Sequence, residues 1–149
     1  MREAREEELY SMHMKNCLSK KLTLNRHGEH FFVHLFKCTG DLNGYLSRQK
    51  WFHGLPIGKG EDGDNRVLAT THFHSTSKSK KLADIYFSQE NMSIDTICHE
   101  SLHFGTGVML LNKIKSISLK EPGDGEEESL ATITGQTAQR IADYLYSLI

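Results

Sequence analysis

The sequence predicts an α+β fold: a small, mostly antiparallel twisted sheet packed on an N-terminal helix, a helix through residues 99–103 and a C-terminal helix. Three observations predict it. Runs rich in β-branched and aromatic residues, His30–Cys38, Arg66–His74 and Ala83–Ser88, are separated by polar or glycine-containing segments. Two longer stretches, from Ser93 past His103 and from Glu126 to Leu148, carry apolar residues at near-helical spacing. A chain of 149 residues, 38% apolar and 25% charged, suits one compact unit spanning 1–149.

Residues 3–19 read as helix, with Ala4, Leu9, Met12, Cys17 and Leu18 forming an imperfect apolar stripe. Leu22–Leu24 alternates as a strand, Arg26–Glu29 is a turn, and His30–Cys38 is the next strand. Asp41–Phe52 reads as a short helix. The segment 54–65 holds Gly54, Pro56, Gly58, Gly60 and Gly63 and reads as a surface loop. Gly58-Lys59-Gly60 lacks the spacing of a phosphate loop. Arg66–His74 and Ala83–Ser88 can form a hairpin across the polar Ser75–Lys81 turn. Ser93 is an N-cap candidate, with Asp95 in the first turn where the helix dipole favours an anion. Pro122-Gly123-Asp124-Gly125 breaks the chain before the last helix.

Lys plus Arg number 18 and Asp plus Glu 19, a net charge of −1 that supports neither a nucleic-acid footprint nor a polybasic membrane surface. The acidic N-terminus does not read as a signal peptide, and no apolar run is long enough to span a bilayer. Cys17, Cys38 and Cys98 are odd in number and far apart, which argues for a reducing compartment. The expected location is cytoplasmic. Histidine, at nine, is the unusual count.

Residues 99–103 read His-Glu-Ser-Leu-His. On a helix, positions i and i+4 share a face, so His99 and His103 can bind one Zn2+ ion. Glu100, turned by about 100°, lies beside the metal as a general base for a zinc-activated water. A catalytic zinc usually takes a third protein ligand. The run Glu126-Glu127-Glu128 opening the last helix is its best source, although acids favour any helix N-terminus. Glu128 is followed by the small stripe Ala131, Thr132, Gly135, Ala138 and Ala142, which would permit close packing on the 99–103 helix. Glu127 is the runner-up, in phase with Ala131, Thr134, Ala138, Ile141 and Leu145.

His99-Glu100-Ser101-Leu102-His103, with Glu128-Ser129-Leu130-Ala131-Thr132 beginning 25 residues after His103, resembles the gluzincin metallopeptidases. The stretch from Ala83 to Gly135 also resembles small phage-encoded metallopeptidases. The family's pattern of a glutamate, two residues and a small residue fits Glu128 through Ala131, although Thr132 stands where a thermolysin-like pattern has aspartate. The resemblance implies a minimal gluzincin-like domain hydrolysing peptide bonds, with Glu128 as third ligand and an extended peptide or protein substrate held by strand addition. Ala83–Ser88 would be that edge strand. His72, His74, Tyr86 and Tyr144 are candidates for the oxyanion-stabilising side chain. The alternative is a non-catalytic, zinc-stabilised binding or regulatory protein, phage-encoded, on the same scaffold.

His30 and His34 would share one strand face, and His72 and His74 another. Either pair could ligate a metal, but solvent-facing strand histidines account for both more simply. Cys98 points away from His99 as a small core residue, and Lys78, Lys80 and Lys81 form a solvated cluster.

Overall fold

The computed structural model describes residues 16–52, 66–74, 79–112 and 125–148. Its elements are β1 (Cys17–Thr23), β2 (His30–Phe36), α1 (Thr39–Ser47), β3 (Ala69–Phe73), β4 (Lys81–Ser88), a short 3-10 turn (Gln89–Asn91), α2 (Ile94–Leu111) and α3 (Gly125–Ser147). The fold is α+β, a four-stranded mixed sheet with three helices among the described residues.

The sheet order is β1-β2-β4-β3. β1 pairs antiparallel with β2, and β3 antiparallel with β4, the latter being the hairpin anticipated across residues 75–81. The central pair, β2 with β4, is parallel. α1 and β3 both lie between these two strands in the chain, which supplies the long connection a parallel pair needs.

The anticipated helix over 3–19 falls largely outside the described residues. Its end, Cys17 to Ser19, is strand: seven residues of β1 match β2 in unbroken register, from Cys17 with Phe36 to Thr23 with His30. The partner strand overrides a weak local helical stripe here. The edge assignment also changes. Ala83–Ser88 lies inside the sheet between β2 and β3, and β3 is the outer strand on that side among the described residues. Burial on both faces explains its composition, since Leu82 through Ser88 are all buried.

Alternation splits the side chains of the sheet between two layers. Phe31, Val33, Leu35, Ala83, Ile85 and Phe87 meet Ile97, Phe104 and Val108 of α2 and Ile141 and Leu145 of α3. Phe36 and Tyr86, on the other face, pack against Leu42 and Leu46 of α1. α1 begins at Thr39, earlier than expected, because the Cys38 sulfur accepts from the Asp41 backbone N–H and caps it. On α3 the buried positions are Thr137, Ile141 and Leu145, with Leu130, Ile133 and Thr134 half-buried. The small stripe expected to pack is mostly outward: Ala131, Thr132 and Gly135 are exposed.

The face of the sheet carrying α1 also holds a buried charge. Asp84, 1% exposed, accepts hydrogen bonds from His34 Nε2 (2.7 Å), His74 Nε2 (2.7 Å) and Lys81 Nζ (2.9 Å). Burial opposes ionisation of this carboxyl. The hydrogen bonds of the two histidines and the Lys81 charge outweigh that and hold its pKa far below the ordinary carboxylate value.

Candidate active site

Ser93 caps α2 as its sequence suggests: its Oγ accepts from the Thr96 backbone N–H at 3.1 Å. The helix then runs 18 residues, through the whole His-Glu-Ser-Leu-His segment. Ile97, Ser101, Phe104 and Val108 point inward, which leaves His99 and His103 on the exposed face. The two Nε2 atoms are 3.1 Å apart, with ring centroids at 4.8 Å and planes crossing at 71°.

Glu100 is turned inward, only 4% exposed. Thr71, on the edge strand β3, donates its hydroxyl to Glu100 Oε2 at 2.6 Å. Burial raises the pKa of Glu100, while the Thr71 bond and the proximity of His103 and His99 act against that rise. The sequence placed Glu100 beside the two histidines but gave no hint of Thr71, since nothing local links residues 29 positions apart.

A groove of about 700 Å³ runs between β3 and α2. Ala69, Thr71 and Phe73 form its strand wall, and His99, Glu100 and His103 lie on its helix wall. The two walls approach closely at Gly107, where a Cβ would stand 2.5 Å from the Phe73 ring. A glycine is therefore what lets the helix lie against this strand. β3 has β4 on one side only among the described residues, so it presents backbone donors and acceptors outward.

No family model, no curated protein and no solved structure matches the chain.

The other anticipated site residues are placed differently. Glu128 is exposed in the first turn of α3, and Glu127 is half-buried on the same turn. Among the described residues, no three His, Cys, Asp or Glu side chains converge closely enough to hold a metal ion, so neither glutamate joins His99 and His103. α3 meets α2 near Gly105, where Leu130 and Thr134 crowd the helix. Three of the four oxyanion candidates lie across the sheet from the groove. Thr71 and Phe73 face α2, so His72 and His74 face the other way, and Tyr86 packs in the α1 layer. Tyr144 belongs to α3, where Lys20 Nζ lies 5.1 Å from its ring centroid. Cys98 is exposed rather than a core residue.

Proposed function

We propose that the chain is a zinc-dependent metallopeptidase of gluzincin type, acting on extended peptide in the groove between β3 and α2. The observation that carries this reading is the 3.1 Å separation of His99 Nε2 and His103 Nε2 beside that groove. Two imidazoles on one tetrahedral zinc, at Zn–N distances of about 2.0–2.1 Å, hold their nitrogens about 3.3 Å apart. The spacing of these two nitrogens is compatible with one shared zinc ion. A hydrogen bond between the two imidazoles has the same spacing, and zinc titration separates the two.

When bound, zinc supplies Lewis-acid activation of water and of the scissile carbonyl. The residues of the chain do the rest. Glu100 receives the proton of the attacking water and passes it to the leaving amine. Thr71 orients the carboxylate from the strand side, and the outer edge of β3 pairs with substrate backbone. This reading takes its third ligand from Glu128, with Glu127 as the competing choice, and requires the first turn of α3 to move towards His99 and His103, since neither glutamate joins them here.

The alternative is a zinc-stabilised binding or regulatory protein. It draws on the depth of Glu100, whose carboxylate is occupied by Thr71.

Zinc titration of the metal-free protein, paired with peptide-library cleavage, tests both. One zinc per chain is expected, with affinity reduced at least 10-fold in His99→Gln, in His103→Gln and in one of Glu127→Gln or Glu128→Gln. Cleavage by the wild type and its loss in Glu100→Gln, with zinc retained, supports the enzyme. Zinc binding without cleavage supports the binder. Undiminished binding in both histidine variants overturns the site.

A further inference from the structure

The Asp84 cluster ends at the surface in a hydroxyl. Ser19 Oγ lies 2.6 Å from His34 Nδ1, and the other nitrogen of that ring lies 2.7 Å from Asp84 Oδ1. His34 is fully buried, whereas Ser19 is exposed. The tautomer follows from the partners. A carboxylate accepts only, so His34 Nε2 carries hydrogen and donates to it. Burial depresses protonation of the ring, and Asp84 opposes that only in part. A neutral ring protonated at Nε2 has a bare Nδ1, so the Ser19 hydroxyl must donate to it. This hydrogen-bond order, hydroxyl to imidazole to carboxylate, is the one by which a base activates a serine.

The backbone supports the same use. Lys37 N–H bonds Asn16 O, and Leu24 N–H bonds Glu29 O, which marks the even-numbered positions of β1 as its hydrogen-bonded pairs with β2. Ser19 and His34 are therefore a non-hydrogen-bonded pair, whose side chains stand closest. The Ser19 backbone N–H consequently points away from β2, towards the outer side of β1, where no other strand lies among the described residues. It can donate to a carbonyl oxygen as the Ser19 Oγ attacks its carbon.

We propose that Ser19 is a nucleophile activated by His34 and Asp84 that accepts acyl groups from activated carboxylic esters. The Ser19 Oγ–C bond forms and the ester C–O bond breaks. The hydroxyl proton passes to His34 Nδ1 and then to the departing alkoxide, and water reverses the sequence to release the acid. Lys81 and His74 position Asp84 from its second oxygen. This site lies across the sheet from the groove and is independent of zinc.

The test is acetylation of the intact protein by p-nitrophenyl acetate, mapped by peptide mass spectrometry. Ser47 and Ser147 are internal controls, being exposed serines whose hydroxyls donate only to backbone carbonyls one turn back. Ser19 is expected to acetylate at least ~100-fold faster than either, the lower end of general-base assistance. An initial burst of p-nitrophenolate should vanish in Ser19→Ala, with zinc uptake unchanged. Asp84→Asn should slow Ser19 and leave Ser47 unaffected. If that variant does not fold, the ratio of Ser19 to Ser47 in the wild type decides. Equal rates at the three serines overturn the proposal. So does acylation of Cys17, 3.9 Å from Ser19 Oγ, in place of Ser19.

Discussion

Replacing Asp84 with asparagine should be among the most damaging isosteric changes available in this chain. The carboxylate is 1% exposed and receives three short bonds, at 2.7, 2.7 and 2.9 Å. Asparagine keeps one acceptor oxygen, so its amide must face one of the donors from His34, His74 or Lys81. Each bond to a charged group is worth about 1.5–3 kcal/mol, and removing one member of a buried pair costs about 3–5 kcal/mol. We expect a loss in the latter range, against a total stability typically of about 5–15 kcal/mol. Urea unfolding at pH 7.5, followed by circular dichroism, measures it. The pH dependence adds an independent check. Asp84 has a folded pKa below its ordinary value of 3.8, so its stabilisation is complete above that pH and is lost as pH falls towards the folded value. His34 and His72 have folded pKa values below the ordinary 6.5, so acidification through 6.5 protonates the unfolded chain first and also destabilises the fold. Wild-type stability should therefore fall below about pH 6.5 and again below about pH 3.8. Asp84→Asn should lose the lower step. A cost below 1 kcal/mol, or an unchanged profile below pH 3.8, would refute the idea that this carboxylate is ionised and buried as described.

Two further changes probe the groove. Gly107→Ala places a methyl 2.5–2.8 Å from three atoms of the Phe73 ring, about 1 Å inside ordinary contact. Overpacking of that kind costs about 1–3 kcal/mol, and the helix preference of alanine returns about 1 kcal/mol. We expect net destabilisation of about 1 kcal/mol by thermal unfolding, and a stabilised variant would show that α2 and β3 are not held this tightly. Gly105→Ala probes the other side of α2, where the added methyl would stand 2.7 Å from the Thr134 hydroxyl and 3.2 Å from a Leu130 methyl, and should likewise destabilise. Thr71→Val removes the 2.6 Å bond to a nearly buried carboxylate and should cost about 1–3 kcal/mol at neutral pH by denaturant titration. A change under 0.5 kcal/mol would mean that Thr71 does not hold Glu100.

Local signals in the chain settled much of this protein. Ser93 as a cap, a helix through 99–103, the β3–β4 hairpin and the pairing of His99 with His103 all depend on residues within a few positions of one another, where backbone geometry and periodicity dominate. The tertiary structure decided which strand lies at the edge, because order in a sheet follows from pairing between distant segments. A buried central strand and an edge strand can share one composition. It also brought Thr71 to Glu100, and Ser19 and His34 to Asp84, contacts spanning 15 to 50 residues. Asp84 stands as a lone charge within the run Leu82–Phe87, and a carboxylate in a strand does not by itself say which donors the fold will bring to it.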